Sequence, residues 1–506
     1  MKFRIRKKWI IRFIILFLFI GSIGFIWYKY QIKKGAGGYT EILNSESFFQ
    51  NYERIGIKNI NILHSKSEYF IPNQNVILES GIIQSISPVG NIDSSIQYID
   101  GTDKFLIPGL TDTHVHLINS KNDLLLYFAN GITSIWEMFG NQTHLDWKKE
   151  YQEGNLISPE LFIATRKVGS QKGAYGWGSK YFGGQINFTS VKATRKGIKN
   201  FKQKGFDAIK LGSFLNEEIY DAIIDEAKKQ HLPVLGHLST DVGLERMYKS
   251  GLSELAHVEE ITKNVMSDFG GMDYDNTSEF IDYLKSRADS IAINLRENDI
   301  AVSTTIWLME SLPKQKFNLD NFLKTLEIEY ANPALIEGTI IRKGWLSGNN
   351  HYENLEIKND FEKRQKSEIW WKAYVEAIHI MTKALRDNNT PILAGTDANA
   401  TCVVPGFSLH NELESLVNIG LTSSEAIYSA TVAPSKWMKK KSGEIKIGYE
   451  ADLILLSSNP LENISHIKTI EFVFADNFYL TKDSREKLLE NLKKINNKSR
   501  NINITK

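Results

Sequence analysis

The sequence predicts an α/β protein with three parts: a (β/α)8 TIM barrel, a small β-sandwich domain built from both chain ends, and one transmembrane helix at the amino terminus. Three observations carry this reading. Through the middle of the chain, short apolar runs alternate with amphipathic stretches, the pattern of successive βα units. At both flanks lie β-rich runs that each hold too little apolar surface for a core of their own. The first 34 residues combine a dense basic charge with an almost unbroken apolar run.

Composition narrows the function classes. The 506 residues are 42% hydrophobic and 24% charged, as in a globular protein, and are enough for a barrel with a satellite domain. The net charge of +2 hides an asymmetry. Residues 1–34 carry nine Lys or Arg and no acid, leaving 52 basic against 59 acidic groups, a net of −7, for the rest. That balance argues against nucleic-acid binding. Cys402 is the only cysteine, which excludes an intramolecular disulfide and a thiolate-rich metal site.

The elements follow in order. From Trp9 to Tyr28 the chain is apolar apart from Arg12. Twenty helical residues span about 30 Å, the thickness of a bilayer's hydrocarbon core. Lys2, Arg4, Arg6, Lys7, Lys8 and Arg12 outnumber Lys29, Lys33 and Lys34, so the amino terminus is expected in the cytoplasm and the large domain outside. A cleaved signal peptide is the rival; no small-x-small site directly follows the apolar run, only the later Gly35-Ala36-Gly37-Gly38. Residues 41–106 and 439–481, with β runs such as Gly81 to Ile86, Gly443 to Leu456 and Ile470 to Ala475, are expected to pair into the sandwich, with the barrel (107–438) inserted between them. Barrel strands are expected at Phe105–His116, Ile132–Met138, Leu161–Val168, Ala208–Leu211, Val234–His237, Glu254–His257, Ala301–Ile306 and Ile392–Asp397. Ile219, Ala222, Ile223 and Ala227 recur at helical spacing in Glu217–Gln230, and Ile369–Asp387 reads as a further helix. The tail, 482–506, reads as a charged helix running into a loose end.

One stretch organises the chemistry. Phe105 to Leu117 reads FLIPGLTDTHVHL, and residues two apart in a strand face the same way, so His114 and His116 can present both imidazoles to one point. That pair suits Zn²⁺ or a similar metal, completed by His, carboxylate or water ligands from elsewhere. Asp112, two residues earlier on that face, is placed to receive the second ring N–H of a histidine ligand. Lys210, His237, His257 and Asp397 each fall at the carboxyl end of a later predicted strand, with spacings of 27 and 20 residues among the first three, as one strand–helix unit each requires. Singly, any of the three could be an ordinary core residue.

Pro108, Gly109, Leu110, Asp112, His114 and His116 together resemble the signature of the amidohydrolase superfamily. The segments AIKLG, LGHLS, LAHVEE and AGTDA, with HNELESLVNIGLTSSEAIYSATVAPSKWM downstream, are similar to its imidazolonepropionase-related branch, which includes enzymes cleaving dipeptides that end in proline or other residues; Gly448-x-x-Ala451-Asp452 resembles the family's carboxy-terminal signature. The resemblance covers roughly residues 55–481. It implies the inserted barrel and two divalent ions, expected to be Zn²⁺: His114, His116 and Asp397 on one, His237 and His257 on the other, and Lys210 joining them as a CO₂-derived carbamate. It further implies a metal-activated hydroxide attacking an amide of a dipeptide or cyclic amide, with Asp397 shuttling the proton. Trp136-Glu137 stands where the branch often carries Arg-Asp, and Gly169 to Gly184 lacks the usual Gly-His-Gly, so no substrate contact carries over. His410, just after Gly406, is a candidate for substrate contact, for support behind the site, or for a helix start. The expected partners are a small-molecule or short-peptide substrate and the membrane, with the oligomeric state open. A single-metal cyclic-amide hydrolase with a structural Lys210 and a catalytically silent anchored binding protein are the alternative readings.

Overall fold

A computed structural model describes residues 2–64, 68–90, 93–354, 357 and 359–502. Residue 1 of the expected anchor segment and residues 503–506 of the tail lie outside the described residues. Helix α1 (Lys2–Gly35) opens the chain. Its side chains from Phe13 to Ile26 are exposed, whereas Gln31, Gly35 and Gly37 are buried against the body. Ile11–Gly35 is long and apolar enough to cross a membrane.

Six strands follow: β1 (Gln50–Asn51), β2 (Arg54–Leu63), β3 (Phe70–Glu79), β4 (Ile82–Pro88), β5 (Tyr98–Asp100) and β6 (Phe105–Pro108). They share one hydrogen-bonded sheet with β17 (Leu453–Leu456), β18 (Ile470–Ala475) and β19 (Phe478–Thr481) near the other chain end, in the order β1-β19-β18-β17-β6-β2-β3-β4, with β5 on β2. The full ladder from Leu453↔Pro108 to Leu456↔Phe105 makes this one continuous sheet, where a sandwich would predict two separately paired sheets.

The strand expected from Phe105 to His116 is divided at Gly109. Gly109 N–H donates to Asp452 O, on the end-sheet side, and Leu110 N–H donates to Gly131 O, on the barrel side. A Cβ at Gly109 would stand 2.2 Å from Thr133 Oγ1, so a side chain has no room where the chain passes between the two sheets. Beyond it come β7 (Leu110–Val115), β8 (Ile132–Gly140), β9 (Glu160–Thr165), the short β10 (Val168–Gly169), helix α2 (Gly173–Tyr181) and β11 (Ile186–Asn187). Helix α3 (Val191–Lys204), β12 (Ile209–Leu211), helix α4 (Glu217–Lys229), β13 (Val234–Gly236), β14 (Glu254–Ala256), β15 (Ala301–Ser303), helix α5 (Ile306–Phe317), helix α6 (Phe361–Asp387), β16 (Ile392–Leu393), helix α7 (Phe407–Ile419) and, after β19, helix α8 (Lys482–Ser499) complete the elements used below.

Parallel pairing runs β7-β8-β9 and β12-β13-β14-β15-β16. The bridges Ala164↔Ala208 and Val115↔Ala398, also parallel, join these two runs at both ends, so the strands form a barrel of the TIM type. Trp136, Ala164, Ala208, Leu235, Ala301 and Leu393 touch one another although they come from strands around the ring, which places them inside it. Trp437, 4.6 Å from Trp136 between ring centroids, packs against this cluster.

Four elements differ from expectation. Ala301–Ile306 ends as a strand at Ser303, because Thr305 takes a left-handed backbone (φ 58°) and the N–H groups of Ile306 and Trp307 turn to the Glu412 carboxylate. Ile392–Asp397 is strand only to Leu393. The run Gly443–Leu456 is turns until Leu453. The charged tail docks: Leu488, Leu489, Leu492 and Ile495 of α8 are buried, and Asn496 Nδ2 donates to Tyr330 O.

Candidate metal centre

His114 lies on β7, and His116 one residue past its end; Lys210 is the central residue of β12; His237 and His257 directly follow β13 and β14; Asp397 follows β16 by four residues. All six therefore sit at or near the carboxyl ends of barrel strands, the face on which barrel loops converge. The structure brings them together. His116 Nε2 is 2.8 Å and His114 Nε2 3.6 Å from Asp397 Oδ1. Ligand-type atoms of His114, His116 and Asp397 all lie within 4.8 Å of one another. The His114 and His257 rings are 4.4 Å apart, those of His237 and His257 5.2 Å, and Lys210 Nζ is 2.9 Å from His114 Nε2.

Two of the six hold unusual backbone. His257 (φ 73°) and Asp397 (φ 59°) occupy the left-handed region, sparsely populated by non-glycine residues. Such strain persists where the surroundings over-determine it, often at functional sites. Here Asp397 N–H donates to His114 O, and His257 N–H donates to Ser303 O.

The electrostatics favour lone pairs over protons. Burial, then the nearby Lys210 charge, holds His114 well below the ordinary imidazole range. His237 is lowered by burial and then by Lys167. For His257, burial outweighs the opposing pull of Asp397. Burial works to raise Asp397, but His116, His257 and Lys210 outweigh it and keep the carboxyl ionised well below its usual range. Lys210, with no exposed surface, is pushed down to about 7 by burial and then by Lys167, against Asp397 and Glu254. A buried lysine near 7 holds a substantial neutral fraction at neutral pH.

The polar atoms left over fit a metal. Neither ring nitrogen of His237 has a hydrogen-bond partner among the described residues, although Glu260 Oε1 lies 3.3 Å from Nδ1. His114 Nδ1 is also buried without a hydrogen bond, and Asp397 Oδ1 is met by His116 Nε2 at 2.8 Å and His114 Nε2 at 3.6 Å. Buried polar atoms without partners are rare, and a cation among them would satisfy Asp397 Oδ1 and imidazole lone pairs together.

Several supports had no signal in the sequence. Thr305 Oγ1, 2.8 Å from His257 Nδ1, fixes that ring's orientation. Glu137 accepts from Leu117 N–H at 2.5 Å and Phe139 N–H at 2.7 Å, pinning the turn just after His116. Asn399 Nδ2 donates to His116 O and to Asp123 Oδ2, both at 2.8 Å. Asp112 differs from expectation: its carboxylate accepts from Thr396 Oγ1 at 2.7 Å, Thr396 N–H and the backbone N–H of His114, and no histidine ring. The Asp397 loop folds back over β7 and puts Thr396 nearer than any imidazole. Trp136 is interior filling. His410 stands apart from the cluster. Buried on α7, it reaches with Nε2 to Asn130 O at 2.9 Å, just before β8 begins, at the opposite end of the strands. The substrate-contact expectation for His410 is corrected by this placement, which ties a helix to the barrel floor.

A cavity of about 510 Å³ has Tyr352 and Trp371 in its wall; the Tyr352 phenol is raised by burial, then by the charges of Asp397 and Glu259. A larger cavity, about 650 Å³, lies elsewhere, between the end sheet and Glu160 at the start of β9, and is remote from the histidines.

The sequence profile of the amidohydrolase family matches residues 187–484, more than half of the chain, and the protein belongs to that family. Solved structures of similar fold include a bottromycin amidohydrolase (18% identity, TM-score 0.71, covering 92% of this chain and 96% of that one). A Xaa-Pro dipeptidase with methionine bound in its active site is similar at 18% identity and TM-score 0.60, over 85% of this chain and 100% of that one. Ochratoxinase from A. niger matches at 18% identity and TM-score 0.60, over 85% and 95%. Comparison with curated protein sequences finds no match.

Proposed function

We propose that the protein is a membrane-anchored, metal-dependent amidohydrolase that cleaves the amide bond of a dipeptide or a cyclic amide, with the chemistry outside the cytoplasm. The observation that carries this is a cluster of imidazoles, with His114, His237 and His257 buried and held well below the ordinary imidazole range, around the ionised Asp397; both ring nitrogens of His237 and Nδ1 of His114 have no hydrogen-bond partner among the described residues. In this reading His114, His116 and Asp397 hold one divalent ion and His237 and His257 a second. Lys210, whose neutral amine can add to CO₂ with release of one proton, would as a carbamate supply a further ligand to these ions. When bound, such ions lower the pKa of water and polarise the scissile carbonyl. Asp397, ionised at neutral pH, takes the proton from the attacking water and hands it to the leaving amine nitrogen. Thr305 and Asn399 hold the histidine loops still while this happens. Helix α1, with its exposed apolar surface, is read as a retained anchor, and the dipeptidase-like neighbours support the short-peptide substrate class.

The test is metal analysis of the full-length protein, purified in detergent with bicarbonate present, alongside hydrolysis of dipeptide and cyclic-amide panels. Two Zn²⁺ or other divalent ions per chain and turnover of an amide are expected. No bound metal after addition of Zn²⁺ would overturn the proposal. One ion per chain would favour the single-metal reading, in which Lys210 stays an amine against His114, as the 2.9 Å contact allows.

A further inference from the structure

The end of α1 is built into the rim that carries the metal cluster. Asn119 N–H donates to Ala36 O at 3.0 Å, only three residues beyond His116. Arg342 Nη1 donates to Gly35 O at 2.9 Å, and Asn122 bonds both Glu41 O and Leu43 N–H. Asn332 accepts from Thr40 Oγ1 and donates to Ser120 Oγ, which donates to Asp123; Asn399 Nδ2 donates both to Asp123 and to His116 O. The anchor therefore leaves the molecule from the carboxyl-end face of the barrel.

On the same face lie apolar side chains that the protein leaves uncovered. Helix α2, which follows β10, exposes Tyr175 (84%), Trp177 and Tyr181, Phe182 is exposed just past its end, and Phe214 is exposed in the loop after β12. The turn at residues 339–342 exposes Ile340 (80%) and Ile341 beside the Arg342–Gly35 bond. Phe182 meets Tyr28 of α1 edge to face, with centroids 6.2 Å apart. Lys172 and Lys180 flank these aromatics on α2. Exposed aromatics and isoleucines near lysines, beside a membrane-length helix, are the composition of a membrane–water interface.

Resting on the anchor reading above, we infer that this rim lies on the bilayer that α1 crosses, with α2, Phe214 and the 339–342 turn in the headgroup layer. The mouth of the metal cluster then faces lipid, and α2 acts as a second, interfacial contact that fixes the barrel's tilt about the anchor. The partner surface is a phospholipid bilayer: the apolar groups are continuous with a helix whose own exposed apolar surface has no other cover.

Site-directed spin labelling tests this on the full-length chain in phosphatidylcholine–phosphatidylglycerol vesicles. Nitroxides are placed singly at Phe17→Cys, Tyr175→Cys, Ile340→Cys and Asn155→Cys; all four positions are exposed, and Cys402 is buried. Relative accessibility to oxygen and to a water-soluble nickel chelate is then read by power saturation. Severalfold higher oxygen-to-nickel ratios at 175 and 340 than at 155, with 17 deepest, are expected. Labels at 175 and 340 that match 155 while 17 lies in lipid would overturn the inference alone. A label at 17 exposed to the chelate would overturn the anchor reading, and this inference with it.

Discussion

In the proposed mechanism Asp397 carries two duties with one carboxylate, and each would leave a different trace when removed. Asp397→Asn keeps the size and one oxygen but cannot accept a proton, so kcat should fall by about 10²–10⁴-fold, the usual worth of a general base. The comparison is turnover at equal metal loading; unchanged turnover would take Asp397 out of proton transfer. Lys210→Ala removes the side chain proposed to join the two ions. Bound metal should drop and recover in part with millimolar acetate or propionate, whose carboxylate can enter the space; full metal retention without it would refute the carbamate. The His-x-His pair was legible because strand alternation is local. The role of Asp112 was not, since Thr396 reaches it from 284 residues away.

At the scale of elements, the joints between sheets and helices can be tested singly. Gly109 turns the chain from the end sheet into β7, and its missing Cβ is what lets Thr133 approach. Gly109→Val should cost about 1–3 kcal/mol by overpacking, read as a lower midpoint of denaturation; an unchanged midpoint would mean that β8 yields freely. His410 ties α7 to the foot of β8. Burial pushes its pKa down to about 3, so the folded protein keeps it neutral while the unfolded chain takes up a proton near 6.5. A depressed folded pKa means that its stability contribution is complete above about 6.5 and is lost as pH falls toward 3. His410→Gln, able to donate to the same carbonyl, should therefore lose stability less steeply between those limits, as followed by melting temperature; parallel slopes would show that His410 titrates freely. The barrel strands could be placed from short apolar runs, but their ends could not. Thr305 and Asp397 leave the extended region under constraints from Glu412 and His114, and composition gives no sign of those.

For the whole molecule, the joining of the stem to the metal loops is the feature furthest from sequence view. Barrel type and an apolar first helix are readable from periodicity and length. The bonds through Asn332, Ser120, Asp123 and Asn399 connect segments up to 292 residues apart and repeat no pattern. Asn332→Ala removes the centre of that network. About 1–3 kcal/mol of local stability should go with it, and limited proteolysis should cut between residues 35 and 44 faster than in the parent; an equal rate would show that the stem is held by other contacts.

Helix α1 is also a spacer. Its apolar run ends near Tyr28 and its docked end is Gly35, seven residues on. At about 1.5 Å per residue that is roughly 10 Å, close to the depth of one headgroup layer. On the proposed anchoring, the height of the candidate metal centre above the hydrocarbon is set by the length of a rigid rod. A family member with one helical turn more or less in this segment would work about 5 Å higher or lower on the membrane, with every residue of its site unchanged.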